Sequence, residues 1–140
     1  MRKAVALFTV LLILSACLKD TMLTSKIAAE IVQTKNLRLT AHDQFALDSL
    51  IILQPDTSIE QVELKSGLNL KYVSHNIESL DNINLMVFLK NNSAIKTVEL
   101  NRSFGDFNGI YNQIIPKSRA NFILTGDLFP KNPAILHLKN

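Results

Sequence analysis

The sequence predicts an α+β fold in which two or three short N-terminal helices pack on a mostly antiparallel sheet of four to six strands. Segments with helical spacing of apolar residues and with capping signals lie in the first half of the 140-residue chain. Short apolar or alternating runs, separated by turn-forming residues, fill the second half. Helices followed by strands along one chain are typical of α+β domains.

The first predicted helix spans residues 25–35, with Thr24 as a suitable N-cap and Asn36 as a suitable stop. Its apolar residues recur at helical spacing: Leu23, Ile27 and Ile31. Such a stripe is more typical of a helix that faces a core than of one that lies on a membrane surface. We therefore expect this helix to pack on the sheet.

The next segments alternate between strand and helix signals. Residues 37–39 fit a short strand or a connector, and a capping-box pattern at residues 40–43 predicts a short helix that ends near Leu47. Residues 49–54 form a compact apolar run that suits a strand buried on both faces.

A second capping box begins at Ser58, and Gly67 fits the left-handed residue that ends a helix, so residues 59–66 are predicted to be helical. The remaining regular segments have the length and pattern of strands: residues 68–73, 83–90, 95–101, 120–124 and 134–139. Asn91 and Asn92 tolerate the backbone of a tight turn and are predicted to join two of these strands into an antiparallel hairpin. A further turn is expected between Pro130 and Pro133.

The first residues of the chain have the organisation of an export signal. Arg2 and Lys3 precede an apolar run over residues 4–14, which is shorter than the about 20 residues that a membrane-spanning helix needs. The run ends in Leu14-Ser15-Ala16-Cys17. These four residues resemble the lipobox of bacterial lipoprotein signal peptides, and the alternative is an ordinary secretory signal in which the cysteine is incidental.

The resemblance implies cleavage between Ala16 and Cys17, a diacylglyceryl group on the Cys17 sulfur, and an acyl chain such as palmitate on the new amino group. A single acyl chain binds a membrane only marginally, so several chains make the anchor stable. Cys17 is the only cysteine, which leaves it no disulfide partner in the chain. The predicted organisation is a signal peptide (1–16), a lipidated tether (17–23) and one domain (24–140), with the covalent lipid as the only expected cofactor.

The residue after Cys17 bears on which membrane receives the predicted lipoprotein. It is Leu18, whereas an aspartate at this position retains lipoproteins at the inner membrane under the enterobacterial sorting rule. The resemblance therefore implies an outer-membrane anchor with the domain facing the periplasm. In a cell with a single membrane, the domain would instead lie on the outer face of that membrane.

The charge of the mature chain disfavours nucleic acid as a partner. The chain has 15 Lys and Arg against 12 Asp and Glu, and loss of Arg2 and Lys3 with the signal leaves 13 against 12. A nearly neutral domain lacks the basic surface that nucleic acid requires. The expected partners are the membrane, through the lipid anchor, and another protein of the envelope.

The sequence contains only weak patterns for a metal centre. His75 and Glu78 form an isolated His-x-x-Glu, while His42 and His137 belong to unrelated segments. Zinc needs three or four converging ligands. We therefore predict no metal site, and the chain also lacks a nucleophile elbow and a phosphate-binding glycine loop.

Three loop aspartates, Asp81, Asp106 and Asp127, have spacings that fit neither calcium binding nor paired acid and base catalysis. Asp106 and Asp127 follow glycines, so both are predicted to be solvated turn residues.

The loop over residues 102–109 is the best remaining candidate for a binding site. It combines a charge pair with two aromatic rings, which interfaces favour: Arg102, Phe104, Asp106 and Phe107. The alternative is that Phe104 and Phe107 cap one end of the core.

These observations predict a non-enzymatic envelope lipoprotein that binds a partner or supports an assembly. The alternative is a membrane-tethered periplasmic hydrolase. A deep pocket with two carboxylates or two histidines would favour the hydrolase, whereas a partly apolar surface around Phe104 and Phe107 would favour binding.

Overall fold

The computed structural model describes residues 18–42, 47–126 and 134–139 of the chain. Two α-helices lie in these residues: α1 (Thr21–Thr34) and α2 (Ile59–Ser66). The strands are β1 (Asn36–Arg38), β2 (Ser49–Leu53), β3 (Ile83–Lys90), β4 (Ser93–Asn101), β5 (Ile114–Pro116), β6 (Asn121–Thr125) and β7 (Ile135–Leu138). They form a four-stranded sheet in the order β4-β3-β2-β5 and a three-stranded sheet in the order β1-β6-β7.

The predicted α+β class is confirmed. The paired strands of both sheets are antiparallel, and the helices pack against the sheets. In the described part of the chain the seven strands are divided between two sheets, rather than gathered in one sheet of four to six.

The strands β2 and β3 are buried on both faces of the four-stranded sheet. Leu50 and Ile52 of β2 face a larger core, which α1 and the three-stranded sheet complete. Ile51 and Leu53 face a second core, which is completed by α2 and the segment that follows it. The prediction that residues 49–54 form a strand buried on both faces is therefore confirmed.

The predictions for α2 and the hairpin are also confirmed. The Ser58 side chain accepts a hydrogen bond from the Gln61 backbone N–H, and Gly67 ends α2 with a φ of 73°. The hairpin turns at Asn91 and Asn92, whose φ values are 51° and 63°. Both asparagines adopt the left-handed backbone that the turn requires.

The first helix begins earlier than predicted. Asp20, rather than Thr24, is the N-cap, and its side chain accepts a hydrogen bond from the Leu23 N–H at 2.9 Å. A carboxylate satisfies the free N–H groups of a helix start well, and Asp20 also lies 2.8 Å from the Lys96 ammonium group. The helix starts at Thr21 and so takes in residues 21–23, which were assigned to the tether. It ends where Lys35 adopts a φ of 54°.

Residues 18–20 lie along the outer edge of β4. The Leu18 carbonyl accepts a hydrogen bond from the Thr97 N–H at 2.8 Å, and the Asp20 N–H donates to the Thr97 carbonyl at 3.0 Å. This pairing is parallel, and the Lys19 ammonium group reaches Glu99 at 2.8 Å. The first residue after Cys17 therefore already belongs to the described part of the sheet.

The strand predicted over residues 68–73 is wrong. Only Asn69 pairs, in a single parallel bridge with Ser93, and the chain then turns through a hydrogen bond from the Val73 N–H to the Leu70 carbonyl. The edge of β4 beyond this bridge is already occupied by residues 18–20. A longer strand would need the same edge.

Several predicted features lie outside the described residues. These are the signal peptide, Ala16, Cys17, Asp127, the turn between Pro130 and Pro133, and most of the helix predicted after Thr40. Leu39–Ala41 form a 3-10 turn at the start of that segment. Within the residues that the structure does describe, no helix is long and apolar enough to cross a membrane.

Candidate functional site

The predicted binding loop over residues 102–109 is held by an ion pair at the end of the four-stranded sheet. The Arg102 guanidinium donates to both carboxylate oxygens of Asp106, with Nε to Oδ1 at 2.9 Å and Nη2 to Oδ2 at 2.8 Å. Asp106 is only 5% exposed. Its prediction as a solvated turn residue is wrong, because Gly105 turns the carboxylate inward against Arg102.

Two residues outside the loop complete a buried polar network. Asn84 of β3 donates from Nδ2 to the Gly105 carbonyl and to Asp106 Oδ1, both at 3.1 Å. The Tyr111 hydroxyl donates to Asn84 Oδ1 at 2.8 Å and accepts from the Phe107 N–H at 3.0 Å. Sequence reasoning missed both residues, although a lone asparagine inside the apolar run of β3 was a usable signal.

The network sets the ionisation of its members. The hydrogen bonds from Arg102 lower the pKa of the Asp106 carboxyl, and the hydrogen bond from Asn84 acts in the same direction. Burial raises the pKa of the Tyr111 hydroxyl above its usual value. All side-chain polar atoms that are buried within the described residues have a hydrogen-bond partner. This network therefore stabilises the loop, and its buried polar groups are already paired within the domain.

The two phenylalanines of the loop lie at different depths. Phe107 is fully buried and meets the Phe122 ring edge to face, with centroids 5.4 Å apart. Phe104 is partly buried against the same core. The alternative in which the rings cap the core is thus the observed arrangement for Phe107. A binding role for Arg102 and Phe104 stays a prediction.

The three histidines lie apart, and each has its own neighbour. His42 contacts the Glu30 carboxylate, His75 Nδ1 lies 3.1 Å from Glu78, and His137 Nε2 lies 2.9 Å from the Thr125 hydroxyl. Glu78 also accepts a hydrogen bond from the Ile59 N–H at the start of α2. Among the described residues, no three His, Cys, Asp or Glu side chains form a group that could hold a metal ion.

A groove of about 500 Å³ lies between α2 and the edge strand β5. Its lining combines apolar and polar side chains: Gln54, Asp56, Thr57, Ser58, Gln61, Val62, Lys65, Ser66, Asn112 and Ile114. Ile114 is 47% exposed, so the groove wall presents a large apolar side chain to solvent. A concave surface of this volume with a few polar groups is typical of binding sites.

The hydroxyl groups that line the groove form hydrogen bonds with backbone groups of the domain itself. Ser58 accepts from the Gln61 N–H, Ser66 donates to the Val62 carbonyl, and Thr57 donates to the Gln54 carbonyl at 2.6 Å. The lining has one carboxylate, on Asp56, and one ammonium group, on Lys65. The two-carboxylate pocket that would favour a hydrolase is therefore not what this groove presents.

The edge strand β5 directs backbone groups away from the sheet. The Lys117 N–H donates to the Asp48 carbonyl at 2.9 Å, so these two residues form a hydrogen-bonded pair. Hydrogen-bonded and non-hydrogen-bonded pairs alternate along an antiparallel ladder. The pair of Ile51 and Ile114, three steps away, is therefore non-hydrogen-bonded. The N–H and C=O of Ile114 point away from β2, beside the groove.

The fold and the groove together define an α+β domain with a mixed apolar and polar cleft beside a short edge strand. No protein-family model, curated protein or solved structure matches the chain.

Replacement of Phe107 by alanine should lower the free energy of unfolding by about 3–5 kcal/mol, because it removes a fully buried ring from the core. Phe104→Ala should cost clearly less, because that ring is only partly buried. Chemical denaturation of both variants measures the difference. Equal, small losses would contradict the burial of Phe107 in the core.

Asp106→Asn should destabilise the domain by about 1.5–3 kcal/mol at neutral pH, since it removes charge-assisted hydrogen bonds to Arg102. The folded state lowers the pKa of Asp106, so its ionised form contributes stability above the unfolded pKa of about 4. That contribution is lost as the pH falls through the lowered folded pKa. The difference in unfolding free energy between Asp106→Asn and wild type, measured by denaturation, should therefore be smaller at pH 2.5–3 than at pH 7.

The matched control is Asp56→Asn, which replaces an exposed carboxylate at a left-handed position that asparagine also adopts. Its stability should stay within about 0.5 kcal/mol of wild type at both pH values. A gap for Asp106→Asn that does not change with pH would contradict the ion pair.

Proposed function

We propose that the chain is a bacterial envelope lipoprotein, anchored through a lipidated Cys17, whose domain binds another envelope protein in the groove between α2 and β5. The anchor lies in the outer membrane, and the domain faces the periplasm. The role is binding or support of an assembly rather than catalysis. The observation that carries the binding role is the exposed Ile114 on an edge strand that borders the groove.

The anchoring half of the proposal is supported by the sequence Leu14-Ser15-Ala16-Cys17. Leu18, the residue after the proposed lipidation site, pairs with Thr97 of β4, so the proposed anchor is attached directly to the folded domain.

The partner that suits the groove is an extended segment of another protein. Such a segment can pair with the N–H and C=O of Ile114, as in other cases where a peptide adds a strand to a sheet edge. Alternate side chains of the segment then meet Ile114 and Val62. The amides of Gln54 and Gln61 and the Lys65 ammonium group supply polar contacts on either side.

Because β5 is short, the backbone pairing of a partner segment with this edge is limited to Ile114. β5 has three residues, and Pro116 has no N–H to donate. Short edge strands with proline resist unspecific pairing between sheets. Binding therefore depends on the groove side chains as much as on the backbone.

Cys17→Ser should abolish incorporation of labelled palmitate, because serine lacks the sulfur that receives the lipid. The variant should appear as unprocessed precursor or be released from the outer-membrane fraction, as judged by fractionation and by the mass of the protein. Recovery of a processed variant in the outer membrane would contradict the anchor.

Ile114→Lys should reduce partner binding at least tenfold, because it places a charge on the apolar wall of the groove. A photo-crosslinking residue at position 61 in the lipidated protein should give a discrete adduct in the native envelope, and Ile114→Lys should remove this adduct. The matched control is Ile123→Lys, at an isoleucine of β6 that is 36% exposed and does not line the groove.

Both lysine variants should unfold close to wild type, since both side chains reach solvent. An adduct that survives Ile114→Lys, or that Ile123→Lys removes equally, would contradict binding in the groove.

A further inference from the structure

We infer that one end of the four-stranded sheet lies against the bilayer that holds the lipid anchor. This surface, the hairpin end, consists of residues 90–93, of Asn69, which pairs with Ser93, and of residues 70–72, which follow Asn69 in a turn. The inference rests on the proposed lipidation of Cys17 and adds the orientation of the domain on the membrane. It follows from the length of the attachment, the direction of the chain and the side chains at that end.

The attachment between the proposed lipid and the fold is very short. Leu18 is hydrogen-bonded to Thr97 and packs against the second core. Consecutive Cα atoms are about 3.8 Å apart, so the acylated residue can be no farther than that from the folded segment. A domain held at this distance cannot turn freely above the bilayer.

The direction of the chain identifies the end that the anchor approaches. Lys19 lies opposite Thr97, and Asn69 lies opposite Ser93 on the same edge of β4. Residues 18–20 run parallel to β4, so from Lys19 back toward Cys17 the chain heads for Ser93. The two bridges are four residues apart on β4, which is about 13 Å. The anchor therefore leaves the fold beside the hairpin end.

The side chains at the hairpin end suit a membrane interface. The Lys71 ammonium group lies 5.4 Å from the centroid of the Tyr72 ring, and Tyr72 is 59% exposed. Lys90, at the end of β3, is also exposed. Tyrosine and lysine keep apolar parts near lipid and polar ends in the headgroup region. Lysines also complement anionic headgroups.

This orientation places the end of the proposed partner site that Gln54 and Asp56 form away from the bilayer. β3 runs from Lys90 at the hairpin end to Ile83 at the remote end, about 24 Å away at the usual rise per residue. β2 ends at Leu53, which pairs with Leu85 near the remote end. Gln54 and Asp56 of the groove follow directly and so face the periplasm.

The test measures the depth of single dye labels on the lipidated protein in vesicles of phosphatidylethanolamine and phosphatidylglycerol with quencher-bearing headgroups. Labels are attached at Tyr72→Cys, Lys90→Cys and, as the remote control, Asn82→Cys. The native sulfur of Cys17 carries lipid, so the introduced thiol is the one that reacts. Quenching at positions 72 and 90 should exceed that at 82 several-fold.

A second variant tests the short attachment as the cause. Ten glycine and serine residues inserted between Cys17 and Leu18 span about 18 Å as a flexible linker. This insertion should leave flotation with the vesicles intact and should reduce the difference between the labels to less than half. An undiminished difference would overturn the short attachment as the cause of the orientation.

The outcomes separate this inference from the proposed anchor. Protein that floats with the vesicles but shows equal quenching at all three positions, or the strongest quenching at 82, would overturn the orientation and leave the anchor intact. Protein that carries no lipid and fails to float contradicts the anchor itself, and the orientation then fails with it.

Discussion

The fold depends on the burial of β2 and β3 on both faces. A strand with apolar side chains on both sides must be covered twice, and this chain covers its central pair with different elements on each face. α1 and the three-stranded sheet cover one face, and α2 with the segment after it covers the other. The alternate residues Leu50 and Ile51 thus belong to separate cores. This constraint fixes the layers of the domain. The two outer strands of the four-stranded sheet, β4 and β5, then determine how its two edges differ.

The two edges of the four-stranded sheet are finished in different ways. The edge of β4 is covered by residues 18–20 and by Asn69, whereas β5 borders a groove and turns the backbone of Ile114 outward. An exposed strand edge promotes aggregation unless it is short or covered. In this chain the edge of β4 is covered and the edge strand β5 is short. The proposed anchor therefore adjoins the covered edge, and the proposed partner site adjoins the open one.

The polar network around Asp106 shows where prediction from sequence succeeded and where it failed. Arg102, Asp106 and the two phenylalanines of the loop were recognised as unusual together, and Arg102 and Asp106 do form an ion pair. The burial of Asp106 could not be predicted, because it depends on Asn84, which lies 22 residues away along the chain, as well as on Tyr111. The groove was missed for the same reason, since α2 and β5 meet only in the folded domain.

The sequence by itself determined the elements whose signals are local. The cap at Ser58, the stop at Gly67, the turn at Asn91 and the apolar run of β3 each depend on neighbouring residues, and each was predicted with its correct bounds or nearly so. Tertiary structure decided the rest. Residues 18–20 carry no strand signal and pair because the edge of β4 needs partners, and the same pairing displaced the strand predicted at residues 68–73. Competition for a shared edge acts between distant segments, so no local pattern could show it.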